Sequence, residues 1–90
     1  MGKTYLMRDN RNGYHKIGYS KEPFNREKTL QSENPDTQLL FFCNSFIETE
    51  LHNTFKTFRI RGEWFNLTDD QVLEVYNRMK NENGFTVVKK

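Results

Sequence analysis

The stretch from residue 4 to residue 20 constrains the fold more than any other. Two short runs, 4–8 and 14–20, are rich in aromatic and apolar residues and flank Asp9-Asn10-Arg11-Asn12-Gly13. The middle has a turn composition that closes on Asn-Gly, so the segment reads as a β-hairpin. A strand sends alternate side chains to one face. Tyr5 and Met7 therefore share a face of the first strand, and Tyr14, Lys16 and Gly18 share one of the second. A tyrosine and a lysine can stand side by side on such a hairpin. Gly18 leaves space next to them for something bulky, such as a sugar-phosphate backbone.

After the hairpin, Pro23 suits the first turn of a helix, with Ser20 or a neighbour as its cap. The helix covers 23–32 and stops before Asn34-Pro35. Phe24 and Leu30 then touch the sheet, and Arg26 lies on the second turn, near the C-terminal end of the preceding strand. Thr37-Gln-Leu-Leu-Phe-Phe-Cys43 is a continuous apolar run between polar residues and reads as a buried central strand. Asn44-Ser45 opens a helix over 46–58, with Ile47, Leu51, Phe55 and Phe58 as its core stripe. Glu48 and His52 are four apart, so they share a face beside that stripe. Glu48 has two readings. Ser45-x-x-Glu48 fits a capping box, in which Glu48 only satisfies the helix start. Alternatively, Glu48 projects toward the hairpin and holds a divalent metal.

Arg59-Ile60-Arg61-Gly62 is a basic loop, and Trp64 and Phe65 in the following segment close the core. Thr68-Asp69-Asp70-Gln71 is a second capping box with acidic residues where the helix dipole favours them. Val72, Val75, Tyr76 and Met79 give that helix its apolar face, and Asn83-Gly84 ends it. Phe85-Thr86-Val87-Val88 forms a short edge strand, protected from further pairing by Lys89-Lys90. The expected architecture is α+β: a small antiparallel three-stranded sheet flanked by helices.

Ninety residues make one domain, 1–90. Only 34% are hydrophobic, but eight are Phe, so a few large side chains build most of the core. The net charge of +2 gives weak support for a polyanionic partner. Basic residues do cluster in 8–21 and 56–61, as binding surfaces or as solvated faces. Cys43 is the only cysteine and packs as a small hydrophobe, which fits a reducing, cytoplasmic setting. The start Met-Gly-Lys-Thr-Tyr has no signal-peptide h-region and fits a strand better than an acylation site. No apolar run approaches membrane-spanning length.

Taken in order, the motifs resemble the GIY-YIG nuclease superfamily, in the branch common in phages and mobile elements. Thr4-Tyr5-Leu6 stands where Gly-Ile-Tyr does, and Lys16-Ile17-Gly18 where Tyr-Ile-Gly does. Arg26 lies ten residues beyond Lys16, the spacing of the superfamily's helix arginine. Glu48-x-x-Leu51-His52 and Glu63-Trp64-Phe65 look like two further motifs of the branch. The likeness covers 3–67 and rests on shared order and spacing. Lys16 replaces the second tyrosine. Leu30 stands where relatives often carry histidine or tyrosine, and Asn66 stands near a late asparagine at an unusual spacing.

That resemblance implies a DNA endonuclease that uses one Mg²⁺ or Mn²⁺ ion, with RNA not excluded as substrate. Its catalytic residues would be Tyr5, Lys16, Arg26, Glu48 and His52. Glu48 would hold the metal, and Tyr5 would act as general base, directly or through a water. Lys16 and the metal would help the phenol ionise, and Arg26 would clamp the phosphate. His52 would orient Glu48, relay a proton or pack beside Glu-Trp-Phe. DNA contacts would fall to Tyr14, Tyr19, Arg59 and Arg61. A nucleic-acid-binding domain that has lost cutting, and a protein-interaction domain that uses its aromatics, are the competing expectations.

Overall fold

The computed structural model describes residues 2–89. Met1 and Lys90 lie outside the described residues, and with them part of the N-terminal reading and of the lysine pair expected to guard the last strand. The hairpin forms as β1 (Lys3–Asp9) and β2 (His15–Ser20). Gly13 takes a positive φ of 78°, and its N–H donates to the Asp9 carbonyl at 2.8 Å to close the turn. Tyr5 pairs with Gly18 and Met7 with Lys16, so the expected shared face is present. The free space beside Gly18 is not. A Cβ on Gly18 would run into the Tyr5 ring, which already fills that position.

Helix α1 (Pro23–Gln31) begins at its proline but has no side-chain cap. The Ser20 hydroxyl instead accepts the Glu22 N–H at 3.1 Å. Glu27 is buried and accepts the Leu39 N–H at 2.7 Å, which pins α1 to strand β3 (Thr37–Cys43). Arg26, next in sequence, therefore emerges from a fixed point.

The expected 46–58 helix is shorter, with α2 at Glu48–Thr54 and a 3-10 turn at Lys56–Phe58. The Ser45–Glu48 capping box does not form. Ile47 is the N-cap residue, and its N–H donates to Thr4 Oγ1 at 3.0 Å, while that hydroxyl donates to the Ser45 carbonyl at 2.6 Å. Thr4 of β1 thus satisfies the N–H of the N-cap residue, α2 has no side-chain cap, and Glu48 is free of that role. The second expected box is present at Thr68, where α3 (Asp69–Lys80) starts. That helix ends at Lys80, ahead of Asn83-Gly84.

The expected three-stranded sheet is corrected to a six-stranded antiparallel one. Its additional strands are β4 (Arg59–Arg61), β5 (Trp64–Phe65) and β6 (Thr86–Val87), and the order is β4-β5-β2-β1-β3-β6. The three strands expected from the sequence are its centre. Of the added ones, β6 is the edge strand expected over 85–88, here paired to β3, while β4 and β5 have three and two residues, too few to establish an alternating pattern. One face of the sheet carries Leu6, Ile17, Phe41 and Cys43 against Ile47, Leu51 and Phe55 of the α2 segment and Val75 and Met79 of α3. The other carries Tyr5, Met7, Leu39 and Phe42, with Leu30 of α1 against them. Each such large side chain contributes roughly 1.5–3 kcal/mol on full burial. Phe58, expected in the first cluster, is exposed. Phe24 is half exposed, yet its ring meets Phe42 edge-on at 5.7 Å. No helix among the described residues is long and apolar enough to cross a membrane.

Candidate active site

Strand β5 pairs with only His15 and Lys16 of β2. Beyond Ile17, whose N–H donates to the Glu63 carbonyl at 3.0 Å, that edge of β2 has no strand neighbour among the described residues. Five functional groups meet around this open edge, supplied by β1, β2, α1, α2 and the turn before β5.

Lys16 Nζ lies 3.1 Å from Glu63 Oε1 and 5.6 Å from the centroid of the Trp64 ring. The Glu63 carboxyl also hydrogen-bonds the Glu48 carboxyl. Two acids at one place cannot both ionise freely. Burial, the hydrogen bond to Glu63 and its charge push Glu48 up to about 7, against a weaker pull from Lys16. Burial also acts to raise Glu63, but its hydrogen bonds to Glu48 and Lys16 outweigh that and hold it below the ordinary carboxylate range. The two carboxyls therefore compete for ionisation, with Glu48 displaced upward and Glu63 downward. Glu48 Oε2 is buried and has no hydrogen-bond partner among the described residues.

The Tyr5 phenol is 1% exposed. Burial drives its pKa well above the usual phenol value; the charges of Glu63 and Glu48 add to this and Arg26 opposes it. The phenol thus lies within electrostatic reach of both acids and of the arginine. Lys16, expected to help it ionise, is engaged by Glu63 instead. Arg26 is exposed, and its guanidinium has no hydrogen bond or ion pair among the described residues.

His52 Nε2 lies 2.8 Å from the Ile17 carbonyl and 3.8 Å from Glu48 Oε2. A carbonyl only accepts, so Nε2 carries the hydrogen and donates it to Ile17. The ring also meets Phe65 edge-on at 4.9 Å. His52 thus ties α2 to β2, one helical turn from Glu48, and holds that carboxyl at the strand edge.

The four expected DNA contacts divide. Tyr14 and Arg61 line one cleft with Trp64. Tyr19 lies on the opposite face of β2 from Lys16, where its hydroxyl accepts the Gly2 N–H at 3.1 Å and its ring packs on Phe46. Arg59 is exposed and donates to the Gly62 carbonyl at 2.6 Å. Asn66 is exposed at the end of β5. Glu63 is the site residue that residue-by-residue reading passed over. Its signal was there in Glu-Trp-Phe, since Trp64 pairs with Lys16 and so carries the preceding acid to the same strand edge.

A model of the T5orf172 domain matches residues 2–80. The chain belongs to the T5orf172 family. No curated protein and no solved structure matches it. T5orf172 domains are nuclease-like and associated with phages and mobile elements. The matched span contains all five groups of this T5orf172 site, from Tyr5 to Glu63.

The donor set fits a divalent cation of one kind. Among the described residues there is no cluster of three or more His, Cys, Asp or Glu side chains able to cage a metal. What the site offers is a buried, unpartnered oxygen of Glu48 with a second carboxyl beside it. Mg²⁺ and Mn²⁺ accept one or two carboxylates and keep several waters. A cation there would also relieve the repulsion from Glu63 that raises the Glu48 pKa.

Proposed function

We propose that this protein is a metal-dependent endonuclease of the GIY-YIG type that hydrolyses DNA phosphodiester bonds. The observation that carries this reading is the convergence of Tyr5, Lys16, Arg26, Glu48 and Glu63 on one open strand edge. A purely structural network would satisfy its buried oxygens, yet Glu48 Oε2 is buried with no hydrogen-bond partner among the described residues.

In this reading Glu48, supported by Glu63, holds one Mg²⁺ or Mn²⁺ ion. When bound, the ion stabilises negative charge on the leaving 3′ oxygen. Arg26 grips the phosphate from the solvent side and offsets charge in the transition state. The Tyr5 phenol oxygen accepts a hydrogen from the attacking water and aligns it with the phosphorus. Full proton removal by Tyr5 requires positive charge strong enough to outweigh burial, and Arg26 supplies part of it. Lys16 fixes Glu63, and His52 fixes the helix that carries Glu48.

A binding domain that does not cut is the second reading. It is favoured by the raised pKa of Tyr5 and by the engagement of Lys16 with Glu63. Plasmid nicking with Mg²⁺ or Mn²⁺ separates the two. Cutting that Glu48→Ala and Arg26→Ala abolish supports the endonuclease; binding without cutting across several divalent ions supports the second reading.

A further inference from the structure

A cleft of about 510 Å³, lined by none of the five groups, lies between the hairpin turn, the end of α1 and strands β4 and β5. Tyr14, Trp64, Leu30 and Ile60 give it aromatic and apolar walls. Its charges cancel. Arg11 is held by Asp9 through contacts of 3.2 and 3.1 Å, and the charge of Arg61 is offset by the opposite charge of Glu33 on the same wall. Such a cleft is a poor seat for a phosphate. It suits a neutral, planar ring of nucleoside size, since ligand clefts of this kind span roughly 300–1,000 Å³.

The cleft is joined to the catalytic cluster through one side chain. Trp64 forms part of its wall, lies under the Lys16 ammonium at 5.6 Å, and directly follows Glu63 in sequence. We propose that this cleft receives an unpaired nucleobase next to the phosphate being cut, stacked on Trp64 and Tyr14. A base inside a duplex is already stacked and cannot enter. The substrate class is therefore DNA with a single-stranded, flapped or extruded nucleotide beside the scissile bond. This inference rests on the endonuclease reading and narrows it.

Trp64 is the sole tryptophan, so its emission reports directly on the cleft. The test uses the full chain with EDTA, titrated with a short oligothymidylate and with a blunt duplex of equal length. The oligothymidylate should quench Trp64 and bind about five-fold or more tightly than the duplex. Tyr14→Ala should weaken that binding by about five-fold or more, the lower end of what one stacked base contributes. Ile60→Phe, which fills the cleft from its exposed edge, should weaken it too, and circular dichroism checks the fold of both variants. Equal affinity for the two probes, unchanged emission, or full binding by both folded variants overturns the proposal. The two readings fail separately. Glu48-dependent cutting of duplex DNA without oligothymidylate preference removes the cleft assignment alone. Cleft-dependent binding without any cutting removes the endonuclease reading and leaves the base-binding cleft.

Discussion

Lys16 holds Glu63 across the β2–β5 ladder, Nζ to Oε1 at 3.1 Å. The lysine thereby helps to hold Glu63 below the ordinary carboxylate range, while Glu48 beside it is displaced upward. Lys16→Met should separate metal binding from cutting. Without the ammonium, the carboxyl pair should bind Mn²⁺ roughly three- to ten-fold more tightly, the effect of removing one partly screened charge a few ångströms away. DNA cutting should nevertheless fall. Titration calorimetry and nicking rates on the same preparation check both; weaker Mn²⁺ binding would contradict the assigned geometry.

Glu48 gives a pH signature. Its folded-state pKa of about 7 lies above the value of about 4.3 for an unfolded glutamate. The unfolded chain therefore releases this proton first as pH rises. Glu48's contribution to stability is complete below about pH 4.3 and is lost as pH climbs through about 7. Glu48→Gln stays neutral, so in EDTA it should melt above the parent protein at pH 8 and close to it near pH 4.5. Added Mn²⁺ should raise the melting temperature of the parent at pH 8 and leave that of the variant unchanged. Thermal melts at the two pH values test this, and identical curves for both proteins at pH 8 would remove the strained carboxyl pair.

Arg26 should behave as a functional group with little structural role. It is exposed, and no partner among the described residues loses a contact when it goes. Arg26→Ala should change stability by less than about 0.5 kcal/mol. It should lower the nicking rate by about 100-fold or more, as expected when a charge-stabilising donor is lost. A comparable loss of melting temperature would mean that the arginine is structural.

Gly18→Ala probes the packing behind Tyr5. The new methyl would land on the phenol ring, so the ring or the strand has to move, at a cost of about 1–3 kcal/mol. Cutting should fall with it, because the phenol is displaced from its place over Gly18. Pairing the substitution with Tyr5→Phe distinguishes the causes. If the loss comes from the displaced hydroxyl, Gly18→Ala in the Tyr5→Phe background should cost little further activity.

Much of this architecture was legible in the residues. The hairpin, β3, α1 and α3 announce themselves because each has at least six residues over which a period, a turn or a cap can register. Strand β6 was legible too, as the edge strand expected over 85–88; β4 and β5 were not, because they have three and two residues and join the sheet only through the pairing of β5 with the distant β2. Glu48 misleads for a related reason. Ser45-x-x-Glu48 is a sound local signal, but Thr4, 43 residues before Ile47, satisfies the N–H there instead. Likewise, the placement of Tyr5 and Lys16 on one face of the hairpin was readable from strand alternation, whereas the claim of Glu63 on that lysine depends on a ladder only two residues long.

That threonine bond has a mechanical meaning. Thr4 is the immediate neighbour of Tyr5, and Ile47 the immediate neighbour of Glu48. One hydroxyl thus couples the residue that would address the water to the residue that would address the metal. The gap between those two reagents is set like the jaw of a fixed-width gauge. A substrate has to fit that width, because closing or opening it would mean breaking the bond that starts α2.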